Sequence, residues 1–359
     1  VPHRSFRPTI KEVASAAGVS TQTVSRVINE RPDVSPETRK RVQEIIDQLG
    51  YQPSALARSL IRQRSYTLGV VTAGLKYIGP SRTLNGITGA AEALGYSLLL
   101  KEQPRFDSND VSAVFNKLLS RHVDGIIWAV PEVGDNRAWI ESASLDFDVP
   151  VVYLTMQPRA GINVVAVDNY AGARSAVNHL IEQGYRHIGH ISGPMDWWEA
   201  RERMSAWREA LSEAGLEHAD RQVAEGNWSA ASGAQAIQQV HKQYPEMDAV
   251  FVGNDQMALS ALQYACRIGL SIPDDLGIVG FDNIPEGAFF WPPLTTVDQD
   301  QIYLGRAAVE GVIRIIESAW DGRESDEPHA VRIEPTLVIR RSSLRGKPEQ
   351  KEVRLSDEP

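Results

Sequence analysis

Thr21, Gln22 and Arg26 fall on the outer face of a short predicted helix, at and just after its start. Gln carries a donor and an acceptor that match the major-groove edge of adenine, and Arg offers the forked donor set that matches guanine. A helix presenting such side chains from its first turns reads base edges. Residues that would do covalent chemistry are not assembled in this way: the chain has no G-x-S-x-G elbow, no Walker A loop and no H-E-x-x-H. His187 and His190 have the spacing of a metal pair, but no acid or cysteine is evidently placed to join them. The single cysteine, Cys266, can form neither an internal disulfide nor a cysteine zinc site, and is expected as a small buried hydrophobe. The residues therefore predict a binding protein with no catalytic group, metal or cofactor.

The elements that must hold the reading face are legible. Thr9 and Glu12 have the spacing of a capping box, in which hydroxyl and carboxylate satisfy each other's free backbone donors. A helix then runs through Val13, Ala14, Ala16 and Ala17 to stop at Gly18, and Ser20 caps a second helix that ends near Asn29. Two short helices joined at Gly18-Val19-Ser20 form a helix-turn-helix. Ser35-Pro36-Glu37 starts a third helix with an N-cap, a proline at the first position and an acid in the first turn. Val42, Ile45, Ile46 and Leu49 give it one apolar face, and Gly50 ends it.

Charge divides along the same line. The chain of 359 residues has a net charge of −9, yet residues 1–64 carry eleven Lys/Arg and six Asp/Glu, a net +5, leaving −14 on the rest. A basic head on an acidic body suits a head that meets phosphates and a body that does not. No apolar run is long enough for a membrane span, and the basic start Val1-Pro-His-Arg-Ser-Phe-Arg-Pro has no apolar segment behind it. A cytoplasmic protein is expected.

The run Thr9-Ile-Lys-Glu-Val-Ala-Ser-Ala-Ala-Gly-Val-Ser-Thr-Gln-Thr-Val-Ser-Arg-Val-Ile-Asn29 closely resembles the DNA-reading motif of the lactose repressor (LacI/GalR) family. Val34-Ser-Pro-Glu-Thr-Arg39 and Leu49-Gly-Tyr-Gln-Pro-Ser-Ala-Leu-Ala-Arg-Ser-Leu60 extend the resemblance. By it, Thr21, Gln22 and Arg26 match base-contacting positions, and Thr9, Ser20, Ser25 and Asn29 complete the DNA-facing set. Thr21 departs from the aromatic of the lactose repressor, so that protein's operator is not implied. Residues 54–62 contain good helix formers but are too few for an isolated helix in water, which needs about 12–15. The resemblance makes them the hinge helix, with Leu60 matching a leucine wedged into the minor groove and Ala57 the small residue beside it.

From residue 66 the pattern changes to apolar strands alternating with amphipathic helices. Strands are expected at Leu68–Thr72, Tyr96–Leu100, Asp124–Val130, Val151–Leu154, His187–Ser192, Ala249–Val252 and Leu276–Phe281. Helices are expected at Thr83–Leu94, Asp110–Ser120, Ala171–Gln183, Glu199–Ala214, Ala231–His241 and Met257–Ile268. This is an α/β pattern of parallel sheets covered on both faces, with roughly ten strands in two sheets and a cleft between them. Ligands in such folds sit beyond the carboxyl ends of the strands.

Here too segments resemble the lactose repressor family: Gly193-Pro194, Ala200-Arg-Glu-Arg203, Glu225-Gly-Asn-Trp-Ser-Ala-Ala-Ser-Gly233, Val252-Gly-Asn-Asp-Gln-Met-Ala-Leu259, Val279-Gly-Phe-Asp282 and Pro292-Pro-Leu-Thr-Thr-Val-Asp-Gln-Asp300. The resemblance implies a helix-turn-helix domain at 1–52, a hinge at 53–65 and a periplasmic-binding-protein-like core at 66–345. It divides the core into one lobe at about 66–165 and 300–328 and another at about 166–299 and 329–345, with crossovers near 165, 299 and 328. Arg201, Trp228, Asn254, Asp282 and Gln299 match effector-binding positions, and Tyr77 and Pro80 lie in the loop matching the apolar wall of that site. Charged and amide groups clamp hydroxyls, and Trp offers a face to a pyranose. Alternatives stand beside these roles: an Arg201–Asp282 ion pair, an Asn254-Asp255 helix cap, and a core Trp228.

Thr155 stands where the lactose repressor has aspartate, and Trp197-Trp198 replace small residues there. Trp197 adds a stacking surface, although the two tryptophans would equally suit an interface. The expected effector is a sugar or glycoside, with a nucleobase or sugar phosphate as the alternative. Residues 346–359 are charged, expected to be disordered, and lack the leucine heptads of a tetramerising coiled coil. The resemblance implies a repressor that is a homodimer reading a near-palindromic double-stranded operator, its partners being DNA, effector and self; a solute receptor would need an export signal and no helix-turn-helix.

Overall fold

The computed structural model describes residues 8–29, 31–51, 64–106, 111–141, 147–323 and 328–346. It divides into two compact units, Val1–Tyr66 and Thr67–Pro359.

The first unit is three helices, α1 (Ile10–Ala17), α2 (Thr21–Ile28) and α3 (Pro36–Leu49). Thr9 and Glu12 form the expected capping box, Ser20 caps α2 through Thr23 N, and Ser35 caps α3 through Thr38 N with Pro36 at its start. Gly18 and Gly50 end α1 and α3 at φ 64° and 61°, a left-handed turn that glycine adopts without Cβ strain. Val13, Ala14, Ala17, Val24, Val27, Val42 and Ile46 make the core. The proposed hinge residues Ala57 and Leu60 lie outside the described residues, as does the expected disordered tail beyond Gly346.

The second unit holds two six-stranded sheets. In order the elements are β1 (Thr67–Ala73), α4 (Ile78–Ala93), β2 (Ser97–Gln103), α5 (Val111–Leu119), β3 (Gly125–Ala129), α6 (Ala138–Glu141), β4 (Val151–Leu154), β5 (Asn163–Val167), α7 (Asn169–Glu182), β6 (Ile188–Ser192), α8 (Trp198–Glu213), β7 (Val223–Glu225), α9 (Ala230–Gln243), β8 (Ala249–Val252), α10 (Asp255–Arg267), β9 (Gly277–Phe281), β10 (Thr295–Asp298), α11 (Gln301–Trp320), β11 (Ala330–Ile333) and β12 (Thr336–Val338). The first sheet runs β11-β5-β4-β3-β1-β2 and the second β12-β10-β9-β8-β6-β7. All pairings are parallel except β10 with β12. Strands buried on both faces read as unbroken apolar runs, which is why β1, β3, β6 and β8 were legible. The short strands β7, β10, β11 and β12 carry polar residues and were not.

The chain passes between sheets after Val167, between Asp298 and Gln301, and between Ile333 and Thr336. The last crossing corrects the expected boundary at 328. Residues 330–333 pair with β5 in register Ala330↔Val164 to Ile333↔Val167, so they belong to the first lobe. The alternating Ala-Val-Arg-Ile of this edge strand gives little signal against the charged stretch before it. Close helix packing binds the first lobe together: a Cβ on Gly86 of α4 would stand 2.1 Å from the carbonyl oxygen of Ile302, and one on Gly305 of α11 2.2 Å from that of Thr83. This contact seats the α11 N-terminus, and with it Gln301, at the cleft.

Cys266 is exposed, not buried as expected, because it projects from the outer face of α10. No helix among the described residues is long and apolar enough to cross a membrane.

Candidate functional site

On α2, Thr21, Gln22 and Arg26 are exposed and Ser25 is half-buried beside them. Successive helical residues turn by about 100°, so these positions share one arc of the outer surface. Arg26 Nη1 lies 3.3 Å from Asp33 Oδ2, an exposed pair that holds the guanidinium loosely. Thr9 and Ser20 are occupied as caps, and Asn29 Nδ2 donates to the carbonyl of Ser25 at 2.7 Å, ending the helix. The exposed polar arc of α2 and the caps that support it are therefore interleaved in one short sequence.

In the second unit a cavity of about 860 Å³, its open mouth included, lies at the strand ends between the sheets. Tyr77, Pro80, Trp197, Trp228, Asn254, Asp282 and Gln299 all line it. Arg201 does not. It projects from the far side of α8 and donates to the carbonyls of Met195 and Asp196 at 3.3 and 2.8 Å. The cavity arginine is Arg203, two residues on and about 200° around the helix. The run Ala200-Arg-Glu-Arg203 offers two arginines, and only helical phase against the buried Trp198, Glu199 and Trp207 separates them.

Arg203 is buried. Nε donates to Asn169 Oδ1 at 2.9 Å, Nη1 to the Gly253 carbonyl, and the guanidinium lies 3.7 Å from the Phe281 ring centroid. Burial lowers its pKa, against the raising influence of Asp282, Glu199 and Asp255. Asp282 accepts from Gln299 Nε2 through Oδ1. Burial pushes its carboxyl up to about 6, although Arg203 and the Gln299 hydrogen bond favour ionisation. Behind it, Asp255 accepts from Thr296 Oγ1 at 2.6 Å and from Ile284 N at 2.9 Å, fixing the loop that carries Asp282. Burial and then the Asp282 charge raise Asp255 to about 8.

Asn254 caps α10, the alternative considered for it, and also lines the cavity. Its Oδ1 accepts from Met257 N at 3.0 Å, capping α10, while Nδ2 donates to the Trp228 carbonyl at 2.9 Å beside the cavity. Trp228 is buried as well as cavity-lining, and its six-membered ring lies where a Cβ on Gly193 would stand, 2.0 Å away. Thr155, Trp228 and Asp282 have φ of 52°, 68° and 113°. Three non-glycine residues around one cavity thus hold sparsely populated backbone conformations.

Aromatic rings close the mouth. Trp197 lies 4.8 Å from Phe106, 5.7 Å from Trp228 and 6.4 Å from Tyr77, centroid to centroid. Backbone bonds join the lobes beside them: Gly134 N to the Asp196 carbonyl at 2.8 Å and Trp198 N to the Glu132 carbonyl at 3.1 Å. Trp198 itself is buried in the core of the first lobe, so the two tryptophans do not form one exposed pair. Sequence reading missed Asn169, Glu199, Arg203 and Gln301. Their local context gave no signal, since a Glu in the first turn of α8 is accounted for by the helix dipole.

No cluster of metal-binding side chains occurs among the described residues. His187 Nδ1 pairs with Tyr244 Oη at 3.0 Å and His190 Nδ1 with the Phe251 carbonyl at 2.9 Å, so each ring has a separate structural contact.

The family model for bacterial regulatory proteins of the lacI family matches residues 9–54, and that for a periplasmic binding protein-like domain matches residues 177–343. The lactose operon repressor of Escherichia coli is 33% identical over 308 residues, 86% of this chain and 84% of the repressor. The HTH-type transcriptional repressor PurR of Aliivibrio salmonicida is 32% identical over 335 residues, 93% and 98% of the two chains. The HTH-type transcriptional regulator CelR of Thermobifida fusca is 32% identical over 347 residues, 94% and 99%. Among solved structures, the lac repressor dimer bound to operator and the anti-inducer ONPF aligns at TM-score 0.83 and 30% identity, covering 94% of this chain and all of that one. A CelR–cellobiose complex aligns at 0.68 and 31%, with the same coverage.

Proposed function

This chain belongs to the lacI family of bacterial regulatory proteins, and on that premise we propose that it is a repressor whose operator affinity is set by a sugar or glycoside in the cleft. It is a DNA-binding transcriptional regulator, not an enzyme, and acts as a dimer. The cleft carries the effector reading: buried Asp282, Gln299, Asn254 and Arg203 supply paired donors and acceptors, and Trp197 and Trp228 supply ring faces. That combination suits a ligand with many hydroxyls and an apolar face.

The mechanism follows from the crossovers. A ligand that binds one lobe spacing better than another shifts the population toward it, and the coupling to DNA is of order 1–3 kcal/mol. Thr21, Gln22 and Arg26 read bases in each half of a near-palindrome, and Leu60 and Ala57 act at its centre. A regulator of chromosomal genes works in the cytoplasm. A nucleobase is the second reading, favoured only by the stacking surface of Trp197 and by the likeness to PurR.

The test combines selection of binding sites from random duplex DNA with operator-binding anisotropy in the presence of sugars, glycosides, sugar phosphates and purines. The expected result is an enriched inverted repeat and a sugar that shifts its affinity. Failure to enrich any sequence would overturn the regulator reading, and a shift by purines alone would overturn the sugar.

A further inference from the structure

Four polar atoms around the cavity are buried without a partner: Thr155 Oγ1, Glu199 Oε2, Trp228 Nε1 and Gln301 Oε1. A buried group left unpaired costs free energy, so several around one cavity point to a ligand that completes them. Gln301 Oε1 accepts, Trp228 Nε1 donates, the Thr155 hydroxyl does either, and Glu199 Oε2 accepts when ionised and donates when protonated. Thr155 and Gln301 belong to the first lobe, following β4 and opening α11, whereas Glu199 and Trp228 come from the second. A ligand that satisfies all four must reach both lobes and must offer groups that donate and accept, as hydroxyls do.

The charges narrow its class. Glu199 and Asp282 are the acids that line the cavity and Arg203 is the cation. Arg203 donates to Asn169 and the Gly253 carbonyl and lies against Phe281, and its charge is opposed by Asp282, Glu199 and Asp255. Burial raises the Glu199 carboxyl to about 7, and Glu132 adds to the rise, against Arg203 and Arg137. Its carboxyl can therefore accept from a hydroxyl or donate to one. A phosphate in the same space would face two acids.

We propose that Glu199, with Gln301 and Thr155, selects the effector, and that the effector is an uncharged sugar, because a phosphorylated one would have to enter beside the carboxyls of Glu199 and Asp282 with Arg203 as the lining cation. The inference rests on the reading of this cleft as the effector site and adds the residue that sets its chemistry. Glu199 becomes a specificity-determining residue that touches the ligand directly.

The test measures binding of the full-length chain by calorimetry to a panel of neutral mono- and disaccharides, their 6-phosphates and free purine bases. At pH 8, above the range in which the Glu199 carboxyl holds its proton, one neutral sugar should bind and its phosphate at least about 100-fold more weakly, the discrimination expected of like charges brought together. In Glu199→Gln the ratio of neutral to phosphorylated affinity should fall by about tenfold or more, because an amide accepts hydrogen bonds without repelling the phosphate. A purely structural role would change both affinities together. Gln301→Met should weaken the neutral sugar by about tenfold while keeping the wild-type ratio, and it gives an independent reading should Glu199→Gln not fold. An unchanged ratio in Glu199→Gln, or tight binding of a phosphorylated sugar by the wild type, overturns the inference. Purine binding lost in Asn254→Ala overturns it while leaving the cleft as the effector site, and no binding by any panel member overturns both.

Discussion

The guanidinium of Arg203 lies over the ring of Phe281, 3.7 Å from its centroid, and this contact ties α8 to the end of β9 directly before Asp282. A cation on an aromatic face gains electrostatic attraction that strengthens where water is excluded. The same side chain holds Asn169, the first residue beyond the first crossover, at 2.9 Å. Arg203 thus joins the wall of the cavity to a segment that connects the lobes.

Replacing Arg203 with Lys should remove the fork while keeping a charge. A compact ammonium cannot hold Asn169 and the Gly253 carbonyl together while covering Phe281. Loss of hydrogen bonds from a charged donor costs about 1.5–3 kcal/mol, so the effector Kd should rise by roughly 10–150-fold. Arg201→Ala, on the opposite side of α8 and bonded only to nearby carbonyls, should leave it unchanged. Calorimetry on the two variants checks the assignment: a loss in Arg201→Ala without one in Arg203→Lys would reverse it.

Legibility follows from how far a signal extends in the chain. The reading helix was legible to the residue because caps, turn and base-facing side chains all lie within Thr9–Asn29, and α1 and α2 end where Gly18 and Asn29 predicted. Seven of the eight residues expected at the cavity line it: Asn254 and Asp282 follow strands that unbroken apolar runs reveal, whereas Trp228 and Gln299 follow the short polar strands β7 and β10 and were placed by the resemblance alone. Arg201 failed on helical phase, a difference of two positions that reverses the face. Glu199 and Gln301 were missed for another reason: each becomes a cavity residue only when α8 and α11 meet across the cleft. The third crossover was misplaced because β11 owes its pairing to β5, far away in sequence, and not to its own alternation.

Stability should respond to pH through Glu199 in a defined sense. Its carboxyl rises from 4.5 in the unfolded chain to about 7 in the fold, facing Arg203 on its own helix and Glu132 and Arg137 from the first lobe. A raised carboxyl contributes stability that is complete below 4.5 and is lost as pH rises through about 7. His190, lowered to about 4 by burial, acts in the opposite direction, its contribution being lost as pH falls from 6.5 through that value. Glu199→Gln leaves His190 untouched, so the difference in Tm between variant and wild type isolates the carboxyl. That difference should shift in favour of the variant by at least about 2 °C between roughly pH 5 and pH 8. A difference independent of pH, measured by calorimetric melting without effector, would remove Glu199 as a buried titrating group.

Gly193→Ala should disturb the site without touching a polar group. The new Cβ would stand 2.0 Å from the Trp228 ring, so the indole must move or the β6 end must shift. Overpacking of this kind costs about 1–3 kcal/mol, and displacement of the ring removes a wall of the cavity. Effector affinity should fall with a change in tryptophan emission, while operator binding without effector is retained. Unchanged affinity would show that Trp228 is not part of the binding surface.

Gln22→Ala should separate base reading from phosphate attraction. Gln22 is exposed on the outer arc of α2, and the residues of this helix that build the core, Val24 and Val27, point away from it. Its removal should therefore leave the unit folded. A bidentate contact to a base contributes about 1–3 kcal/mol of discrimination, so affinity for the selected operator should drop by roughly 5–150-fold. Non-specific affinity, carried by Lys and Arg against the backbone, should not change, nor should the slope of binding against salt, since a neutral side chain releases no counterions. Titrations of operator and random duplex across a salt series check all three quantities. An equal loss on both duplexes would mean that Gln22 contacts the sugar-phosphate backbone and that another residue of the α2 face reads the bases.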